Sequence, residues 1–135
     1  MKIFTVWFFL MSFKLNATDS IDFMELRQNI IEPPITECMC LTKVDPALVK
    51  NWFDSGVYAS DPCFKCFLSC VAQKINVMDS AGKYDDEAIA SKYGVPIELV
   101  KNCTAQVANQ TDLCQKTYVH VKCVVGTLLK QYAHS

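Results

Sequence analysis

The chain of 135 residues carries eight cysteines, which all lie between positions 38 and 123. An even number of cysteines in a small secreted chain is typical of a disulfide framework, in which each bridge adds about 2–4 kcal/mol by restricting the unfolded chain. Eight cysteines allow 105 pairings, and their positions alone do not select one. The sequence therefore predicts a bridged domain whose core need not be completely filled. The eight are Cys38, Cys40, Cys63, Cys66, Cys70, Cys103, Cys114 and Cys123.

The first 17 residues have the pattern of a secretory signal peptide. Lys2 gives a basic start, residues 3–13 are almost uninterruptedly apolar, and Ala17 ends a plausible cleavage site. The apolar run is shorter than the roughly 20 residues that span a bilayer. We expect residues 1–17 to be removed and residues 18–135 to form one secreted, extracellular domain without stable membrane insertion.

The charge of the chain is nearly balanced. Removing Lys2 and Lys14 changes 13 basic and 14 acidic residues to 11 and 14, a net charge of −3. The basic residues are scattered singly, which argues against a nucleic-acid partner and against an anionic membrane surface.

Apolar residues recur at helical spacing through most of residues 18–135, and no useful stretch alternates as a strand would. The pattern predicts an all-α domain. Its helices are expected from Ser20 to Pro33-Pro34 with a short continuation over Ile35–Leu41, from Pro46 to Gly56, from Asp61 to about Asn76, from Asp85 to Gly94, from Pro96 to Asn109, and from Asp112 to about Gln131.

The helix that begins at Asp61 is expected to be central. At about 100° per residue, Cys63, Cys66 and Cys70 fall in one stripe. A second stripe is apolar and has the spacing of a core-facing surface. It contains Phe64, Phe67, Leu68 and Val71. We predict a central helix that forms disulfide bridges on one side and packs against the core with its apolar other side.

Two kinds of thiol chemistry are alternatives to structural bridges. Cys63 and Cys66 form a C-x-x-C at a helix start, but redox exchange also needs a preceding strand, for which residues 56–60 are a poor candidate. Cys38 and Cys40 could join them around zinc, but an oxidising route favours bridges. We expect no metal and no cofactor.

Hydrolytic chemistry has no support in the sequence. His120 and His134 are the two histidines, and neither lies in a nucleophile or metal motif. The prediction is a protein that is not an enzyme. Its surplus of large apolar side chains instead favours a cavity, because a bridged fold tolerates a dry void that takes small apolar molecules.

The last cysteine spacings are specific. Cys66 and Cys70 enclose three residues, Cys103 and Cys114 enclose ten, and Cys114 and Cys123 enclose eight. This series resembles that of the insect odorant-binding proteins, the pheromone- and general-odorant-binding family of six-helix secreted carriers. The resemblance covers nearly all of the expected mature chain. It implies a compact six-helix domain, stapled by disulfides, that encloses an apolar cavity.

The resemblance also implies a pairing. Either Cys38 or Cys40 could be the first cysteine of the pattern, and Thr42, four residues after Cys38, favours Cys38. The family's bridges would then be Cys38 with Cys70, Cys66 with Cys114, and Cys103 with Cys123. Cys40 and Cys63 are additional to the pattern, and we hypothesise that they form a fourth bridge.

By the same resemblance the chain binds and transports small hydrophobic ligands, such as odorants or pheromones, with a chemosensory receptor as a further partner, as a monomer or weak dimer. Tyr118 and Tyr132 are candidates for polar contacts to a ligand oxygen. The expected ligand-binding residues are Phe53, Phe64, Phe67, Leu68, Val71, Met78, Leu99, Tyr118, Val121, Val125, Leu128 and Tyr132. The alternative is a secreted protein-interaction module, a gland or venom product with the same fold.

Histidine titration and glycosylation are two further expectations for this chain. Protonation of His120 or His134 between pH 7 and pH 5 is expected to weaken closure of the cavity by the C-terminal segment and to release ligand. Asn109-Gln-Thr111 is a glycosylation sequon in an expected loop, whereas the sequon at Asn102 lies in an expected helix beside a bridging cysteine.

Overall fold

The computed structural model describes the backbone of residues 32–133 and the side chains of residues 34–127. This range contains six helices: α1 (Glu32–Thr42), α2 (Pro46–Ser55), α3 (Pro62–Lys74), α4 (Asp86–Tyr93), α5 (Ile97–Gln106) and α6 (Leu113–Ala133). Within it the sole β feature is an isolated bridge between Met78 and Tyr84. The all-α prediction is confirmed. The expected signal peptide and the helix expected from Ser20 lie outside the described residues.

Aspartate carboxylates start four of the helices. Asp61 accepts a hydrogen bond from the Phe64 amide at 2.9 Å, and Asp112 accepts from the first amides of α6. Asp45 and Asp85 do the same at α2 and α4. Such caps satisfy amides that have no partner within the helix, which explains why these starts were predictable from the sequence.

The start of α1 differs from the prediction. Pro33 and Pro34 were expected to interrupt a helix, but α1 begins at Glu32 and contains both of them. Proline is tolerated in a first turn because the amides there have no carbonyl acceptor within the helix. The two prolines therefore begin α1 rather than break it.

Helix α3 lies at the centre of the described fold and packs against α1 and α6. Phe64 and Phe67 are completely buried on its apolar side. Leu68 and Val71 continue that buried surface one turn further on. The predicted core stripe of the central helix is confirmed. No described helix is both long and apolar enough to cross a membrane.

Three disulfides connect the helices. Cys38–Cys70 joins α1 to α3, Cys66–Cys114 joins α3 to α6, and Cys103–Cys123 joins α5 to α6. These are the pairs that the family resemblance implies. They connect α1, α3, α5 and α6 into one covalent framework.

The hypothesised fourth bridge is absent, because Cys40 and Cys63 are both free and exposed. Helical geometry explains why Cys40 and Cys63 do not pair. Cys40 is two residues beyond the fully buried Cys38, so it points about 200° away from the side that faces α3. Cys63 lies seven residues before Cys70, a distance of roughly 10 Å along α3.

The disulfide pattern predicts that two pairs of cysteine substitutions change the free energy of unfolding by different amounts. Replacing the bridged pair by serine, Cys38→Ser with Cys70→Ser, should lower the free energy of unfolding by about 2–5 kcal/mol, because the unfolded chain gains freedom. The matched pair Cys40→Ser with Cys63→Ser should change it by less than about 0.5 kcal/mol. Urea unfolding measures both, and a large loss in the second pair would contradict the assignment of free thiols.

Candidate functional site

A groove runs along the surface between α1 and α2. Its volume is about 460 Å³, and it is open to solvent rather than enclosed. The lining positions are i, i+1 and i+4 on α1 and i, i+3, i+4 and i+7 on α2, so each set covers one broad face of its helix. The lining consists of Ile35, Thr36 and Met39 from α1 and Pro46, Val49, Lys50 and Phe53 from α2. The groove is therefore mainly apolar, with one hydroxyl and one ammonium group.

A cluster of aromatic rings stands behind the groove. Trp52 contacts Phe53 with ring centroids 4.9 Å apart, and it meets Phe64 and Phe67 edge to face at 6.0 Å. Tyr58 closes the cluster at 6.1 Å from Trp52. Such edge-to-face pairs favour defined ring positions. The side of the groove that Phe53 forms therefore rests on packed rings that continue into the core.

Tyr58 is held in this cluster by its ring. Burial raises the pKa of its hydroxyl. Neither Trp52 nor Tyr58 is among the ligand-binding residues expected from the sequence. The signal that could have found Trp52 is the adjacent pair Trp52-Phe53, two large rings of which Trp52 meets the rings of α3 and Phe53 lines the groove.

The expected ligand-binding residues fall into three groups. Phe53 lines the groove. Phe64, Phe67, Leu68, Val71 and Met78 are buried in the core, as is Tyr118, while Leu99, Val121 and Val125 are half-buried. The side chains of Leu128 and Tyr132 lie outside the described residues. The groove thus brings together Phe53 and six residues that are not among the expected ligand-binding residues.

Tyr118 is engaged by its neighbours. Its hydroxyl donates to the Tyr58 carbonyl at 3.0 Å, and the ammonium groups of Lys65 and Lys122 each lie 4.8 Å from its ring centroid. The proton that was expected to reach a ligand oxygen is therefore already donated. In this arrangement the phenol has only its lone pairs left for a ligand.

A partly buried polar chain links α4, α5 and α6. The Thr104 hydroxyl donates to Asp86 Oδ1 at 2.6 Å and lies 3.0 Å from His120 Nε2. Because that hydroxyl has a single proton, which goes to the carboxylate, Nε2 of His120 is the donor in the second bond. The His120 ring also stacks on Tyr84, with centroids 3.8 Å apart.

Burial lowers the pKa of His120 from 6.5 to about 4, and Lys116 adds to the effect while Asp86 opposes it. A histidine with this pKa stays neutral at pH 5. The hypothesis that His120 titrates between pH 7 and pH 5 is therefore wrong for this structure, because the burial of its ring outweighs the opposing effect of Asp86. His134, the other histidine of that hypothesis, lies outside the described residues.

Metal binding finds no support in the described part of the chain, where no group of three or more His, Cys, Asp and Glu side chains lies close enough to hold an ion. The two free thiols are on the exposed surfaces of α1 and α3. The site offers apolar contact and single hydrogen bonds.

Comparison with known proteins agrees with the resemblance in the cysteine spacing. The model of the PBP/GOBP family matches residues 22–127. General odorant-binding protein 57e of Drosophila melanogaster is 31% identical over 81 residues, which cover 56% of this chain. The match spans 57% of that relative's length. No solved structure matches this chain.

The buried His120 predicts that acid destabilises the fold. The unfolded chain takes up the proton near pH 6.5 and the folded chain near pH 4, so the free energy of unfolding falls as pH drops through that window. The expected loss from this group is on the order of 3 kcal/mol. In His120→Phe, which keeps a stacked ring, the decline between pH 7 and pH 4 should be smaller by that amount.

Urea unfolding at several pH values measures this effect. Val119→Ala, at an exposed position on the same helix, serves as control and should keep the wild-type dependence. Identical pH dependence in His120→Phe and wild type would rule out a buried neutral histidine.

Proposed function

The chain belongs to the PBP/GOBP family, and from that membership we propose that it binds small hydrophobic molecules reversibly and carries them in an extracellular fluid. The name of its Drosophila relative supports odorants as the ligand class. Three disulfides support an extracellular role, because such bridges persist in oxidising compartments. A chemosensory receptor that accepts the ligand is part of the proposal, as is a monomeric or weakly dimeric carrier.

The observation that carries this proposal is the groove between α1 and α2. An apolar molecule seated there would contact Met39 and Phe53 and lie close to the ring of Trp52. Apolar burial would supply the affinity, at roughly 25 cal/mol per Å². Thr36 or Lys50 could each offer one proton to a ligand oxygen. Few polar contacts suit a carrier, since its ligand must also leave.

The groove adds residues to the ligand-binding set expected from the sequence. Phe53 belongs to the groove and to that set. The residues of that set that lie in the core, such as Phe64 and Phe67, would support the groove from behind through the aromatic cluster. Proteins of this family are binding proteins rather than enzymes, and we propose the same for this chain.

The alternative is a secreted protein-interaction module on the same fold. Leu41 and Val57 are large apolar residues with more than half of their surface exposed, but such single residues are ordinary on protein surfaces. The two proposals differ in one measurable property, because the module predicts no saturable uptake of small apolar molecules.

Trp52 provides the test of ligand binding. The chain contains two tryptophans, Trp7 and Trp52, so residues 18–135 contain Trp52 alone. We expect a saturable change in its fluorescence when volatile or lipid ligands are titrated, and displacement of a bound apolar dye by the same ligands. No saturable response across a broad ligand panel would favour the interaction module.

Substitutions in α1 should locate the binding site. Met39→Ala should raise the dissociation constant about fivefold, because roughly 1 kcal/mol of apolar contact is lost. Leu41→Ala is the matched control, since Leu41 lies on the same helix but is 65% exposed and outside the groove. Equal affinities for these two variants, with wild-type stability, would place the ligand elsewhere.

A further inference from the structure

The two glycosylation sequons of the chain lie in very different surroundings. Asn109 follows the end of α5 in a turn, and every residue from Ala108 to Asp112 is exposed. Within the described part of the chain, neither the Asn109 carboxamide nor the Thr111 hydroxyl forms a hydrogen bond. Both groups that a sequon requires are therefore free at the surface.

The sequon at Asn102 has an exposed asparagine, but its other two residues are held by contacts within the fold. Asn102 lies in the middle of α5, and the next residue, Cys103, is 2% exposed and bridged to Cys123. The hydroxyl of Thr104 is committed to Asp86 and His120 in the partly buried polar chain. In the folded chain the backbone of this sequon is therefore fixed in a helix, and the Thr104 hydroxyl is already hydrogen-bonded.

We propose that Asn109 is an N-glycosylation site of this protein and that Asn102 is not. The Asn109 side-chain nitrogen forms a bond to C1 of the first sugar of an oligosaccharide carried on a lipid pyrophosphate. The bond between C1 and the pyrophosphate oxygen breaks, the lipid pyrophosphate leaves, and the amide loses a proton. The proposal rests on the proposed secretion, because this donor is met in the secretory pathway.

The position of the glycan fits the rest of the structure. It would project from the turn between α5 and α6, where the described chain presents short polar side chains and no groove residue. The Asp112 carboxylate that starts α6 accepts from Cys114 and Gln115, and a glycan on Asn109 leaves these bonds in place. Ligand affinity is therefore expected to be the same with and without the glycan.

The test is expression of the full chain in insect cells, followed by mass spectrometry of the secreted protein before and after peptide N-glycosidase. We expect a mass loss of one glycan and conversion of Asn109 to aspartate. Asn109→Gln and Thr111→Ala should abolish the mass loss, whereas Thr111→Ser, which keeps the hydroxyl, and Asn102→Gln should retain it.

Secreted protein that carries no glycan, or carries it on Asn102, would overturn the proposal. Retention of the chain inside the cell without a glycan would overturn it together with the proposed secretion. The dye displacement assay on the unglycosylated Asn109→Gln protein reports on ligand binding separately, so a missing glycan does not count against the carrier function.

Discussion

The covalent ties on α3 are the constraint on which the rest of the structure depends. Cys66 and Cys70 are four residues apart, so their sulfurs leave nearly the same side of the helix, one toward α6 and one toward α1. The apolar side of α3 is thereby held against the core, where Phe64 and Phe67 are completely buried. Because α1 is fixed in this way, α2 can leave an open groove beside it without relying on close packing there.

A second set of interactions organises the other half of the described fold. The chain of hydrogen bonds from Asp86 through Thr104 to His120 crosses α4, α5 and α6, and Cys103–Cys123 bridges α5 and α6 one residue away from Thr104. Buried polar groups are costly unless they are paired, so this chain favours one arrangement of the three helices. The groove between α1 and α2 and the polar chain thus belong to separate parts of the molecule.

Local chemistry explains how much of this could be predicted from the sequence. Aspartates at helix starts, as at Asp61 and Asp112, act on neighbouring amides, so the boundaries of α3 and α6 followed from short-range rules. The bridges followed from spacing because the family resemblance supplied the pairing. The predicted bridge between Cys40 and Cys63 is wrong because it rested on separations along the chain. It did not consider the direction in which the Cys40 side chain points from α1.

The site was harder to predict than the fold. Apolar spacing identifies the buried face of a helix, as for Phe67, but it does not distinguish a residue that packs against the core from one that borders a groove. That distinction depends on how far α1 and α2 stand apart, a tertiary property. The pKa of His120 is likewise set by burial between Tyr84 and α5, which no local pattern of the sequence encodes.

The most direct test of the central claim is an NMR titration of the isotope-labelled protein, residues 18–135, with an apolar odorant, following the backbone amides. We expect saturable shifts concentrated in α1 and α2 around Met39 and Phe53, with smaller shifts at the amides of Phe64 and Phe67. Saturable shifts that leave these two helices unchanged, or no saturable shifts at all, would contradict it.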